Sequence, residues 1–199
     1  NCDGEWLAEI IDGNKRFVKL KCLNKIRPSK VPPNVWLFFS PIKKSRTDFI
    51  VEKAAELGVA EIFPTSSEFT NSERINQERL QAHAIEAAEQ CGGTYVPKVH
   101  KICKLTSILE KWPDSRNIFF CNEDNLQPVG KLSKLPKGAW AIFVGPEGGF
   151  SKKEKDLFLK HPKTFSISLG PRILRTDTAA ISALTLWQSH FGDWNEDYV

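Results

Sequence analysis

The sequence contains no methionine, and the first of its 199 residues is an asparagine. We therefore expect the chain to lack its true N-terminus. No apolar run approaches the roughly 20 residues that a membrane-spanning helix requires, and no signal peptide opens the chain. The expected location is the cytoplasm, and neither export nor a membrane partner is predicted.

Cysteine and histidine are also sparse. The five cysteines form no C-x-x-C pair, and their odd number does not suit a disulfide scaffold. The four histidines are scattered along the chain and form no H-E-x-x-H or similar ligand set. We expect reduced thiols, as is usual in the cytosol, and no metal site.

Positive charge is concentrated near the start of the chain. The first 48 residues carry ten Lys or Arg and five Asp or Glu, whereas the remaining 151 carry 18 and 19. A basic N-terminal segment suits contact with the phosphate backbone of a nucleic acid. A solvated surface without such a role explains the same excess, and charge alone does not choose between the two.

Two patterns divide the chain near residue 31. Apolar and polar residues first alternate over Trp6–Ile11 and over Arg16–Leu23, with the turn signal DGN between them, which predicts a β-hairpin. Three prolines in the six residues that follow Arg27 then indicate a linker, because proline excludes regular structure. We expect residues 1–30 to belong to one domain and residues 31–199 to a second.

Strand and helix patterns alternate in the second domain. Val35–Ser40 is a continuous apolar run, which is typical of a strand buried on both faces. Apolar residues then recur at helical spacing as far as Leu57, and Val59–Phe63 follows as another strand. This order predicts an α/β domain with a mainly parallel sheet.

Two glycine-bearing loops follow apolar runs near the C-terminus. The run Ala139–Val144 is followed by GPEGG, and the run Phe165–Leu169 is followed by GPRILR. A helix start is predicted after each loop, since Ser151 with Glu154 forms a capping-box pattern and Thr176 is a typical N-cap. Ligands of open α/β sheets bind at the carboxyl ends of the strands, so the two loops predict one shared site. Two ordinary turns are the alternative, because an isolated glycine-rich loop is a weak signal. The spacing fits neither the dinucleotide fingerprint nor the P-loop, so those two interpretations fail.

The two loops and their flanks resemble the paired motifs of a known family. FVGPEGGFS and SLGPRILRTDTA are similar to the motifs of the RsmE family, 16S ribosomal RNA methyltransferases of the SPOUT superfamily that make 3-methyluridine with S-adenosylmethionine. The similarity continues upstream through KKSRTDFIVEKAAELGVAEIFP and ERLQAHAIEAAEQCGGTYVP. It covers roughly Val31 to the last helix, and DGEWLAEI near the start also fits.

The resemblance implies a fold and an assembly. Residues 31–199 are expected to form a SPOUT-type parallel sheet with a C-terminal deep trefoil knot, a feature that composition and spacing do not indicate. Residues 1–30 are expected to be the C-terminal part of a truncated, small PUA-like β-barrel that binds RNA. The resemblance also implies a homodimer whose site is completed across the interface, with 16S rRNA in the small ribosomal subunit as the partner.

The resemblance places the methyl donor S-adenosylmethionine, without a metal, in the two loops. Backbone groups of the loops would bind the adenine edge, and apolar side chains would contact its face. The exit of the preceding strand, Asn122-Glu123-Asp124, matches the start of a cofactor-facing loop in SPOUT proteins. The implied cofactor-binding residues are Gly145, Glu147, Gly148, Leu169, Gly170, Ile173 and Leu174.

Arg175 and Glu147 are the implied catalytic residues. Arg175 is expected to hydrogen-bond a uracil carbonyl as negative charge develops there. Glu147 is expected to orient the amine of the cofactor or to act near N3 of the uracil. For Arg175, the structural alternatives are an ion pair with Asp177 or a contact in the dimer. For Glu147, the alternative is backbone hydrogen bonds within its own loop.

Basic side chains at two places are candidates for RNA contact. They are Lys43, Lys44, Arg46 and Arg172. The sequence departs from the family pattern at Gly93, where an arginine is common, and in the loop TSSEFTNSE, which lacks the arginine often present there. Both departures predict weaker contact with RNA in this region.

Other functions fit the sequence less well. A non-catalytic RNA-binding or ribosome-assembly protein on a SPOUT scaffold would be expected to have altered cofactor loops. A protein that binds another nucleotide through GPEGG would be expected to carry Lys-Ser/Thr after the glycines. A SPOUT ribose 2′-O-methyltransferase differs in the acceptor atom, and the resemblance alone favours N3.

Overall fold

The computed structural model describes residues 3–72, 74–124 and 129–195, which form a β-hairpin followed by an α/β body. The hairpin pairs β1 (Glu5–Gly13) with β2 (Val18–Arg27) in antiparallel register, so the predicted hairpin is confirmed. Every residue of both strands is exposed. The hairpin therefore has no sheet or helix packed on it among the described residues.

Hydrogen bonds from the last residue of β2 and from the segment after it attach the hairpin to the body. Nη2 of Arg27 donates to the carbonyl oxygen of Gly92 at 3.0 Å. The hydroxyl of Ser29 donates to the carbonyl oxygen of Thr94 at 3.1 Å, and the backbone N–H of Lys30 donates to the Thr94 hydroxyl at 3.0 Å. The division of the chain into two domains near residue 31 stays a prediction.

The body contains a seven-stranded sheet in the order β5-β4-β3-β8-β7-β9, with β6 beside β4, and its paired strands are parallel. The predicted α/β fold with a parallel sheet is confirmed. Its strands are β3 (Val35–Phe39), β4 (Glu61–Ser66), β5 (Lys98–Val99), β6 (Cys103–Lys104), β7 (Arg116–Cys121), β8 (Ala139–Val144) and β9 (Thr164–Ile167). The helices are α1 (Lys44–Glu56), α2 (Gln77–Gln90), α3 (Leu105–Glu110), α4 (Lys152–Lys160) and α5 (Thr176–Phe191), with 3-10 turns at Val129–Lys134 and Asp193–Asn195. In the part of the chain described here, no helix is long and apolar enough to cross a bilayer.

Alternate residues of the central strands fill two separate cores. Phe119 of β7 packs in one core with Leu80 of α2 and Leu184 of α5. The next residue, Phe120, packs in the other core with Phe158 of α4. Since successive side chains of a strand point to opposite faces, helices cover both faces of the sheet. This double burial explains why the strands appear in the sequence as continuous apolar runs.

The strand order brings three strand ends together on one edge of the sheet. β7 lies between β8 and β9, so the carboxyl ends of these strands are neighbours. From β9 the chain returns to α5, which packs on α1 and β8. The trefoil knot that the resemblance implies stays a prediction.

Candidate functional site

A cleft opens at the carboxyl ends of β7, β8 and β9. The exit of β7, the GPEGG loop after β8 and the GPRILR loop after β9 all contribute to its wall. The two glycine-bearing loops therefore line one cleft. The lining residues are Cys121, Asn122, Glu123, Val144, Gly145, Pro146, Gly149, Leu169, Gly170, Arg172, Ile173, Leu174, Thr176 and Ala179.

Most of the residues predicted to bind the cofactor line this cleft. They are Gly145, Leu169, Gly170, Ile173 and Leu174. Glu147 and Gly148 do not line it and are exposed at the tip of the GPEGG loop. The side chain of Ile173 is 87% exposed, so a ligand with an apolar surface would gain by covering it.

A buried hydroxyl joins the two loops. Thr176 is 2% exposed, and its hydroxyl donates to the carbonyl oxygen of Gly145 at 3.0 Å. The prediction that Thr176 caps the last helix is wrong, because α5 begins at Thr176, with Arg175 in the N-cap position and no side-chain cap. The Thr176 hydroxyl instead holds the start of α5 against the GPEGG loop.

Replacing Thr176 with Val removes this hydroxyl and keeps the shape of the side chain. We expect the free energy of unfolding to fall by about 1 to 2 kcal/mol, because the carbonyl of Gly145 loses its donor. Chemical denaturation measures the change. Thr178→Val, at an exposed position of the same helical turn, is the matched control and should match the wild type. Equal stability of the two variants would contradict the role of the Thr176 hydroxyl.

The GPEGG loop passes close to two side chains. A Cβ placed on Gly145 would lie 3.0 Å from Cε2 of Phe150. Gly149 has a φ of +69°, and a Cβ there would lie 2.7 Å from Oε1 of Glu123. Glycine at these positions lets the backbone approach the cleft where a larger residue would collide.

Glu154 fixes this loop to a second one. Its Oε2 accepts a hydrogen bond from the backbone N–H of Ser151 at 2.9 Å, and the predicted capping box at the start of α4 is confirmed. Its Oε1 accepts from the backbone N–H of Glu68 at 2.9 Å. One buried carboxylate therefore holds the loop after β4 beside the GPEGG loop.

The exit of β7 contributes polar groups to the cleft. Asn122 and Glu123 line it, as the resemblance implies, whereas Asp124 does not. Lys155 of α4 donates to Glu123 Oε1 at 2.9 Å and to Asp124 Oδ2 at 2.7 Å. Burial lowers the pKa of Lys155, but the hydrogen bonds to Asp124 and Glu123 outweigh burial and raise the pKa overall. The Glu123 carboxylate therefore enters the cleft wall already paired with a cation.

Sequence reasoning missed several lining residues. Cys121 ends β7, and burial raises the pKa of its thiol far above the usual range, so the thiol is neutral. Pro146 belongs to the GPEGG loop, and its place in that loop was a usable signal. Ala179 lies one helical turn after Thr176, on the same face of α5. Their shared position at the start of a helix that follows a cleft loop was the signal for both residues.

Arg175 and Glu147 lie outside the cleft wall, and both are exposed. Arg175 stands between two lining residues, Leu174 and Thr176. Among the described residues, Arg175 forms no ion pair with Asp177, the alternative considered above; Asp177 Oδ1 instead lies 3.8 Å from Nη1 of Arg46. The catalytic roles of Arg175 and Glu147 stay predictions.

Basic residues lie along the same edge of the sheet. Lys43 and Lys44 are exposed at the start of α1, which follows β3, and Arg46 is paired with Asp177 of α5. Arg172 is exposed on the cleft wall. Since β3 pairs with β8, positive charge flanks the GPEGG loop. The structure thus brings these residues near one edge, and their contact with RNA stays a prediction.

The chemistry of the cleft suits an organic ligand with a flat apolar part. Its wall combines backbone groups of the two loops with the side chains of Leu169, Ile173 and Leu174. Among residues 3–72, 74–124 and 129–195, no group of three or more His, Cys, Asp or Glu could hold a metal ion.

Known proteins resemble this chain over most of its length. The family described as RNA methyltransferase domain matches residues 29–188. Ribosomal RNA small subunit methyltransferase E of Rickettsia conorii is 31% identical over 185 residues, which are 92% of this chain and 75% of that protein. The crystal structure of a ribosomal RNA small subunit methyltransferase E from Neisseria gonorrhoeae bound to S-adenosyl methionine has a TM-score of 0.83 at 30% identity, and covers 94% of this chain and 79% of that chain. The TrmH/SpoU tRNA modifying enzyme of A. aeolicus shares the fold, with a TM-score of 0.53 at 13% identity over 81% of this chain and 76% of that chain.

Proposed function

The chain belongs to the RsmE family of RNA methyltransferases, and on that premise we propose that it methylates N3 of a uridine in 16S ribosomal RNA with S-adenosylmethionine as the donor. Membership confirms the resemblance found in the sequence, and the solved relatives confirm the SPOUT-type α/β fold. The observation that carries the proposal is the cleft in which GPEGG and GPRILR lie side by side at the carboxyl ends of the strands.

The cleft offers the groups that S-adenosylmethionine requires. When bound, this cofactor supplies an electrophilic methyl group on a sulfonium. Backbone groups of Gly145 and Gly170 would hydrogen-bond the adenine edge, and Leu169, Ile173 and Leu174 would cover its face. The Thr176 hydroxyl attaches the end of the GPRILR loop to the GPEGG loop. Much of the rate gain then comes from position, because a methyl group must be attacked in line.

Arg175 and Glu147 would act on the acceptor side of the site. A uracil that loses its N3 proton carries negative charge on its carbonyl oxygens, and the Arg175 guanidinium would donate hydrogen bonds to one of them. Glu147 would orient the cofactor amine or act near N3. Both side chains are exposed beside the cleft, where an RNA base can reach them.

RNA binding and assembly complete the proposal. The side chains of Lys43, Lys44, Arg46 and Arg172 would contact phosphates of the RNA. A homodimer in the cytoplasm would act on 16S rRNA in the small ribosomal subunit. Ile181 and Leu186 of α5 are half-exposed and would contribute apolar surface to such a dimer.

Methyl transfer from labelled S-adenosylmethionine to small ribosomal subunits that lack the modification tests this function. After digestion of the RNA to nucleosides, we expect the label in 3-methyluridine. Label in a 2′-O-methylated nucleoside would overturn the acceptor atom and favour the ribose methyltransferase. No label despite cofactor binding would favour the non-catalytic RNA-binding or assembly protein.

Thermal melting tests the remaining alternative, a protein that binds another nucleotide through GPEGG. S-adenosylmethionine at 100 times its Kd is expected to raise the free energy of unfolding by about 2.7 kcal/mol, and ATP is expected to have no effect. Stabilisation by ATP alone would contradict the methyltransferase and favour a protein that binds another nucleotide through GPEGG.

A further inference from the structure

An exposed phenylalanine lies beside the GPEGG loop. Phe69, in the loop after β4, is 43% exposed. It packs against Gly148, where a Cβ would lie 3.2 Å from the Cβ of Phe69. Within the described parts of the chain, neither a second ring nor a cation stacks on Phe69. The ring therefore offers an unoccupied apolar surface next to the cleft.

The turn that carries Phe69 is fixed by hydrogen bonds on both sides of it. The backbone N–H of Ser67 donates to the Thr70 hydroxyl at 2.8 Å, and the backbone N–H of Thr70 donates to the Ser67 carbonyl oxygen at 3.1 Å. The N–H of Glu68 donates to the buried carboxylate of Glu154 at 2.9 Å. This anchoring supports the backbone of the turn and holds Phe69 beside the GPEGG loop.

The surroundings of Phe69 suit a nucleic acid. The Ser67 hydroxyl lies 3.2 Å from the Ser40 hydroxyl, which joins the exits of β4 and β3. The exposed Lys43 and Lys44 follow Ser40 and can hold phosphates. Residues 67–72 contain no Lys or Arg, and Arg74 of the same loop lies beyond them, so the turn around Phe69 has no cation of its own to offer a phosphate. It offers an aromatic face instead.

We propose that Phe69 is a stacking surface for a nucleobase of the substrate RNA and that it positions the strand over the cleft. Proteins that bind single-stranded RNA recognise splayed bases by stacking them on aromatic side chains, and every base has a face that allows this. The inference rests on the proposed function, since it assumes an RNA substrate.

Phe69→Leu tests the inference, because leucine keeps an apolar contact with Gly148 and has no aromatic face. In methyl transfer to small ribosomal subunits, we expect the KM for the subunits to rise about tenfold, in keeping with the loss of one base–aromatic stack. The kcat at saturating subunits and the affinity for S-adenosylmethionine should not change. Phe69→Tyr keeps the ring and should retain the wild-type KM.

Phe49→Leu is the matched control. Phe49 of α1 is 39% exposed, but Nζ of Lys53 already lies over its ring, 5.6 Å from the centroid. This variant should have the wild-type KM. A wild-type KM for Phe69→Leu would overturn the inference while the proposed function stands. A changed oligomeric state of Phe69→Leu in size-exclusion chromatography would also overturn it, by assigning Phe69 to a subunit contact.

Direct RNA binding separates this inference from the proposed function. If the wild type binds 16S rRNA fragments but transfers no methyl group, the proposed function fails. Fluorescence anisotropy then still decides the role of Phe69. A Kd about tenfold weaker for Phe69→Leu than for Phe49→Leu would support stacking, and equal Kd values would overturn it.

Discussion

Replacing Arg175 with alanine is expected to lower the kcat for methyl transfer by about 100- to 1,000-fold, the loss typical when one donor to a developing oxyanion is removed. The affinity for S-adenosylmethionine should remain that of the wild type, because Arg175 does not line the cleft. The melting temperature should also equal that of the wild type, since the Arg175 side chain is exposed. Single-turnover transfer at saturating RNA measures the chemical step.

Two further variants sharpen this result. Arg175→Lys keeps the positive charge but loses the planar pair of N–H donors. Its kcat is therefore expected to lie between that of the wild type and that of Arg175→Ala. Arg172→Ala removes an exposed arginine that lies three positions earlier on the cleft wall. It should raise the KM for RNA and leave kcat almost unchanged. An equal loss of kcat in Arg172→Ala and Arg175→Ala would show that neither arginine has the specific catalytic role proposed for Arg175.

Replacing Gly145 with alanine is expected to weaken the binding of S-adenosylmethionine by about 5- to 150-fold, which corresponds to an overpacking cost of about 1 to 3 kcal/mol. The new Cβ would lie 3.0 Å from Cε2 and 3.1 Å from Cδ2 of Phe150. Phe150 is buried against Phe120 and Phe158, so its ring has little room to move. The loop must shift instead, and it carries both the cleft wall and the carbonyl that accepts from Thr176.

A double variant identifies the cause of that loss. Phe150→Leu removes the ring that the Cβ would meet, so Gly145→Ala combined with Phe150→Leu should bind S-adenosylmethionine more tightly than Gly145→Ala alone. Isothermal titration of the wild type, both single variants and the double variant gives the coupling between the two positions. Additive losses would contradict the steric explanation.

The strands and the cleft were largely predictable because their signals are local. Burial on both faces makes Val35–Phe39 and Ala139–Val144 continuous apolar runs. The capping box of Ser151 and Glu154 likewise lies within one turn of helix. The rule that ligands bind at the carboxyl ends of parallel strands then brought the two loops to one site.

Contacts between distant parts of the chain were not predictable in this way. Glu154 accepts from the backbone of Glu68, which lies 86 positions away, and nothing in either segment indicates the other. Thr176 has the residue type of a helix cap, yet packing places its hydroxyl against Gly145. Such pairs depend on which strands become neighbours, and the order of strands in a sheet has no local signal.

The position of β8 also affects how the protein is made. β8 lies between β3 and β7 in the sheet although both precede it in the sequence. During synthesis, β3 can pair with β4 early, but β7 has no neighbour until β8 leaves the ribosome, and β9 must then join β7. The sheet therefore closes late, through pairings such as Val35 with Trp140 that span about half of the chain. Parallel pairings at such separations form slowly, and until they form the apolar edges of β3 and β7 are open to aggregation.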